Sequence, residues 1–154
     1  MAETKRTCGS CTACCKTHAI EELNKPAGVW CQECSIGHGC KIYVSRPPTC
    51  QGWSCEWLLG VGKEEERPDM VKIVLEWRDI PYFGQTLLLF EVTEGALNNK
   101  FSQWIRKLAK NRKDTVCCLP LVGKNTIYVS RNPLPIEAKS FGTINGRETD
   151  IVYI

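Results

Sequence analysis

The sequence predicts an α+β fold in two parts. A small cysteine-rich metal-binding lobe spans residues 1–62. A small antiparallel sheet with one packed helix follows over residues 69–154. Three observations lead there. Nine of the 11 cysteines lie between Cys8 and Cys55. Composition changes across "GKEEERPD", Gly62 to Asp69, from turn residues to longer apolar runs. Those later runs carry the periods of strands and of one helix.

The elements of the second part follow in order. "MVKIVLEW" alternates Val71, Ile73, Leu75 and Trp77 against Lys72, Val74 and Glu76, the period of a strand. "QTLLLFEV", Gln85 to Val92, is its expected antiparallel partner across "RDIPYFG". Ala96 to Asn111 places Leu97, Phe101, Trp104, Ile105 and Leu108 at helical spacing, with Lys100, Lys107 and Lys110 opposite. "DTVCCLPL" and "NTIYVSR" form a second hairpin across "VGK", and "TDIVYI" a terminal strand. Cys117 and Cys118 fall in a strand, where neighbours point to opposite faces. One is expected to be buried and the other outward or at an edge.

The first part has no such periodicity. Gly, Pro and Cys interrupt it, leaving short helical pieces near Ile20 to Asn24 and Tyr43 to Arg46. Its large apolar residues are too few to hold it together by burial alone, so metal–thiolate bonds are expected to replace the missing core.

Composition narrows the function. A net charge of +3 is too mild to argue for a nucleic-acid or membrane surface. No apolar run approaches the roughly 18 residues of a spanning helix. "MAETKRTCGS" has no apolar stretch behind its charges, so it does not read as a secretory signal, and a cytoplasmic location is expected. There thiols stay reduced, and an odd cysteine count argues against a disulfide framework. Metal ions are then the expected partners of Cys8, Cys11, Cys14, Cys15, Cys31, Cys34, Cys40, Cys50 and Cys55.

The chemistry is that of soft ligands. An all-thiolate set selects zinc, iron–sulfur clusters or copper(I). C-x-x-C pairs occur at Cys8/Cys11, Cys11/Cys14 and Cys31/Cys34. Short turn-linked pairs suit zinc. Cys8, Cys11 and Cys14 also match the first three cysteines of a bacterial ferredoxin run, which suits iron–sulfur. Adjacent Cys14 and Cys15 diverge, which points to two sites or one polynuclear cluster. His18 and His38 are alternative ligands. Arg46 is expected to donate to a thiolate or carbonyl, Ile42 and Tyr43 to pack beneath the metal, and Trp30, Trp53 and Trp57 to pack on the cluster or between the lobes. No Ser-His-Asp set, phosphate-binding glycine loop or H-E-x-x-H is present.

"CGSCTACCKTHAIEE" followed by "CQECSIGHGCKIYVSRPPTCQGWSCEW" resembles the zinc- or iron-chelating domain family named for its CxxCxxCC motif. Cys40, Ile42, Tyr43, Arg46, Pro47, Cys50 and Cys55 align with that family's second block, and the resemblance covers about residues 8 to 60. It implies a metal-chelating module of a bacterial protein. Flagellin lysine methylases carry the cluster within larger chains. The resemblance also implies eight cysteines, so one of Cys31 and Cys34 is extra, and Cys34 is the weaker ligand choice. The leading expectation is a non-catalytic protein whose zinc or iron is structural, or stored and handed on. The alternatives are an iron–sulfur redox or modification protein, such as an electron carrier or methyl-transfer accessory, and a metal-folded interaction adaptor.

Overall fold

The computed structural model describes residues 6–130 and 143–153. Arg131 of "NTIYVSR" and Ile154 of "TDIVYI", placed in strands by the sequence, lie outside the described residues. The fold is α+β. In chain order its elements are α1 (Ala13–Thr17), β1 (Cys34–Ser35), β2 (Gly39–Cys40), α2 (Pro48–Gln51), α3 (Pro68–Val71), β3 (Ile73–Ile80), β4 (Gly84–Glu91), α4 (Lys100–Arg112), β5 (Thr115–Leu119), β6 (Asn125–Val129), β7 (Thr143–Ile144) and β8 (Arg147–Tyr153). Single 3-10 turns at Glu21–Leu23 and Tyr43–Ser45 stand where short helical pieces were expected.

β1 and β2 form a two-stranded ribbon, and β3-β4-β5-β6-β8-β7 a six-stranded sheet. β3 and β4 pair antiparallel, Ile73 opposite Glu91 through Ile80 opposite Gly84. The expected β5–β6 hairpin is also antiparallel. The sheet as a whole is mixed rather than antiparallel, because β4–β5 and β6–β8 run parallel. The cause of the first is α4. The helix carries the chain back along the sheet, so β5 must leave in the direction of β4.

Helix α4 begins where the Asn99 side chain accepts the Ser102 N–H at 2.8 Å. It ends at Lys113, whose left-handed backbone (φ 60°) returns its N–H to the Ala109 and Lys110 carbonyls. Its buried apolar stripe is Phe101, Ile105 and Ala109, at intervals of four. Trp104 and Leu108, expected on that stripe, flank it and stay 46% and 38% exposed.

Both faces of the sheet are covered. Ile73, Leu75, Leu89, Val116 and Cys118 pack under Phe101 and Ile105 of α4. Val74, Leu88, Phe90, Cys117, Leu119 and Ile127 pack on the opposite side with Ala13, Trp53, Cys11 and Cys55 of the cysteine lobe. Full burial of one such side chain stabilises the fold by about 1.5–3 kcal/mol. The lobe is therefore the sheet's second covering layer. This corrects the expectation for Cys117 and Cys118. They do face opposite ways, yet both are buried, since neither face meets water. Among the described residues no helix is long and apolar enough to cross a membrane.

Candidate metal centre

Successive tight turns fold the CxxCxxCC run. Cys11 donates its N–H to the Cys8 carbonyl at 2.8 Å, and Cys15 to the Thr12 carbonyl at 2.9 Å. These turns lead into α1, which carries Cys14 and Cys15. Gly9 sits at φ +53°, and a Cβ there would stand 3.2 Å from the Arg67 guanidinium. Glycine adopts that turn without strain and leaves room for the guanidinium. The second cysteine block is tied to the first by the Cys31 N–H on the Cys15 carbonyl, 3.0 Å. A further turn brings the Cys34 N–H to the Cys31 carbonyl, and β1–β2 sets Cys34 opposite Cys40. Pro48 opens α2, whose first turn delivers Cys50.

The nine sulfurs sort into two neighbourhoods. In the first, the Cys15 thiol is hydrogen-bonded with Cys14 and Cys34. Its proton is held far more tightly than in a free thiol, chiefly by the Cys14 hydrogen bond and then by burial. Burial, then Cys15, pushes Cys34 up to about 11. Cys50 is raised by burial and by the adjacent Cys15, Cys31 and Cys40. Cys34, the weaker ligand choice from the resemblance, thus contacts the central thiol. Cys31, Cys34 and Ile20 form a small buried cluster with Cys15, Trp30 and Cys50 against it.

The second neighbourhood is Cys8, Cys11 and Cys55. Burial pushes Cys11 up to about 11, against the backbone N–H groups of Ala13 and Asp69 that donate to its sulfur. Burial likewise raises Cys55, whose sulfur accepts from the N–H groups of Leu58 and Trp57. Cys8, also raised mainly by burial, neighbours both Cys15 and Cys55. Such N–H donors favour a charged sulfur over a neutral one. Beside this group the Arg67 guanidinium grips Asp69 through two bonds of 2.6 and 2.7 Å and reaches Ser10 Oγ at 3.1 Å. Arg67 and Asp69 are therefore part of the cysteine neighbourhood. All eleven cysteines are free thiols. Among the described residues no three His, Cys, Asp or Glu side chains stand in an arrangement ready to hold one ion.

The two histidines have different settings. His18 Nδ1 is 2.8 Å from Thr17 Oγ1, and its Nε2 is 3.2 Å from Glu76 Oε2. Its ring lies 4.3 Å from Trp53 and 4.5 Å from Phe90. With both nitrogens engaged, His18 joins the lobe to β3 instead of offering a ligand. Burial disfavours the Glu76 charge. The His18 ring, Arg78 and the Trp53 indole N–H outweigh it and hold the carboxyl below the usual range. His38 is exposed in the β1–β2 turn. Tyr43 is 53% exposed and does not pack beneath the sulfurs; Arg46 lies over its ring at 3.9 Å and donates to its carbonyl at 2.9 Å. Trp57 is buried under the Arg6 guanidinium.

The residue that sequence reasoning missed is Lys25. It is only 7% exposed. Its ammonium donates to the carbonyls of Lys16 and His18, just beyond Cys14 and Cys15. Among the described residues no carboxylate pairs with it. The ionisable groups around it are Cys31, Cys15, Cys14 and Cys50. Burial lowers its proton affinity, and those four sulfurs oppose that shift. Nothing in "NKPAG" marks this lysine as buried.

No family model, no curated protein and no solved structure matches the chain.

Proposed function

We propose that the cysteine lobe is a metal–thiolate centre holding zinc or iron. The metal is structural, or held for transfer to another protein. Lys25 carries this reading. A buried ammonium without a counter-charge costs several kcal/mol. Neutral thiols do not offset that cost, whereas metal-bound thiolates leave net negative charge beside it. The donor set fits soft metals and excludes magnesium and calcium. Cys14, Cys15, Cys31, Cys34, Cys40 and Cys50 would hold metal next to Lys25, and Cys8, Cys11 and Cys55 next to Arg67 and Asp69. The bound metal supplies cross-links between segments that burial alone does not join. The resemblance to the CxxCxxCC family supports the same reading and a cytoplasmic, bacterial setting, where the thiols stay reduced.

A second reading, an iron–sulfur centre with a redox or modification role, is favoured by the N–H donors on Cys11 and Cys55. Hydrogen bonds to cluster sulfurs tune reduction potential. Metal analysis and a visible spectrum of anaerobically purified protein separate the two. Zinc gives a colourless protein, whereas an iron–sulfur cluster absorbs near ~400 nm. Cys15→Ser is expected to lower metal content, and Cys118→Ser to leave it unchanged. Equal metal loss in both variants, or metal-free wild-type protein, would overturn the proposal.

A further inference from the structure

A net charge of +3 conceals an asymmetry. Six of the 20 lysines and arginines lie between Lys100 and Lys113, and none of the 17 acidic residues does, so the rest of the chain is net acidic. That stretch is α4 with its C-cap. Charge concentrated on one element sets a local field that the chain average does not report.

The structure turns most of those cations one way. The helix buries Phe101, Ser102, Ile105 and Ala109 and leaves Lys100, Gln103, Trp104, Lys107 and Lys110 exposed. At 3.6 residues per turn Lys100, Trp104 and Lys107 share one ridge, the indole between two lysines whose backbone positions are about 10 Å apart along the axis. Among the described residues no acid pairs with Lys100, Lys107, Lys110 or Lys113, while Arg112 meets Asp114 at 3.4 Å. Glu66, beside Phe101 at the first turn, is taken by the Lys63 N–H, and Glu64 by Arg6. Trp104 is 46% exposed, with the Phe101 ring 6.0 Å away. An indole held half out of the surface between unpaired ammonium groups has the chemistry of a stacking platform for a base with a phosphate on either side. A bilayer fits less well, because the apolar stripe of α4 is already buried against the sheet. An acidic peptide would satisfy the lysines and leave the indole unused.

We propose that the outer face of α4 binds single-stranded nucleic acid without sequence preference. Lys100, Lys107 and Lys110 take phosphates, and a base stacks on Trp104. The indole favours an unpaired strand over a duplex, whose bases keep their faces covered by their neighbours. The inference is independent of the metal.

The test is fluorescence anisotropy of a labelled oligothymidine strand titrated with the full-length protein. Half-saturation is expected between about 1 and 100 µM, the range of non-specific binding. Three phosphate contacts give a salt slope near about −2, so affinity should fall about 20-fold between ~50 and ~200 mM salt. The triple variant Lys100→Gln, Lys107→Gln, Lys110→Gln should lose at least ~10-fold in affinity and flatten that slope. Trp104→Leu should lose at least ~5-fold with the slope unchanged. Lys41→Gln, on the cysteine lobe across the sheet, should cost less than about twofold. No saturable change in anisotropy overturns the proposal. So do equal affinity for a duplex of the same length, unchanged affinity in the triple variant or in Trp104→Leu, and displacement by polyglutamate as effective as by unlabelled strand; that last result would mark an acidic protein surface as the partner instead.

Discussion

Replacing Lys25 with methionine should affect the metal-free and metal-loaded proteins in opposite directions. In the metal-free chain, Lys25→Met removes a 7% exposed ammonium surrounded by neutral thiols and fills its volume with an apolar side chain. The gain is the relief of a buried charge, several kcal/mol before relaxation. The loss is two hydrogen bonds, to the Lys16 and His18 carbonyls, roughly 1.5–3 kcal/mol each. These nearly cancel, so urea midpoints of the metal-free proteins should agree to within about 1 kcal/mol. In the loaded chain the lysine faces thiolates. One net charge nearby, at an effective dielectric of about 20, contributes about 2–4 kcal/mol. Affinity for metal should therefore fall at least ~30-fold in competition with a chromophoric chelator. An unchanged affinity, or equal destabilisation of both forms, would refute the charge-compensation argument behind the metal–thiolate reading.

Three further outcomes follow from the packing. Chelation under non-denaturing conditions should open the lobe side of the sheet first, so mass spectrometry should find Cys117 alkylated at least ~10-fold faster than Cys118, which lies under α4; equal rates would show that both faces open as one unit. Burial pushes Cys117 up to about 12, so the folded state keeps that proton after the unfolded thiol has lost it near ~8.5; stability must fall as pH rises between those values, and Cys117→Val, near neutral at pH ~8, should become more stable than wild type by about 2 kcal/mol at pH ~10.5. Glu76 is held below the usual carboxylate range, so its contribution is present above the unfolded value near ~4.3 and lost as pH falls through the folded one; Glu76→Gln should cost about 1–3 kcal/mol at pH ~7, and a gap that stays constant down to pH ~3 would contradict the His18–Glu76–Arg78 linkage.

Local pattern made the second half legible because strands and helices impose their own periods. "KIVLEW", "TLLLFE" and the Phe101–Ile105 spacing produce β3, β4 and α4 whatever they pack against. What covers each face is a non-local matter, and there the local signal failed. "TVCCL" reads as half-exposed only if one side of β5 meets water, yet Ala13 and Trp53, both far earlier in the chain, help close that side. The same limit applies to the cysteines. Spacing revealed a cluster, but not that Cys15 would touch Cys34 or that Cys11 would take an N–H from Asp69. Lys25 and Arg67 lie in segments as polar as any surface loop, and the burial of Lys25 and the hold of Arg67 on the Cys8 carbonyl depend on where distant groups fall. One consequence joins the two halves. Because the lobe roofs the sheet, whatever loosens the cysteine segments also uncovers Leu88, Phe90 and Ile127. A lobe cross-linked by metal would then set the hydration of a hydrophobic face that contains none of its ligands.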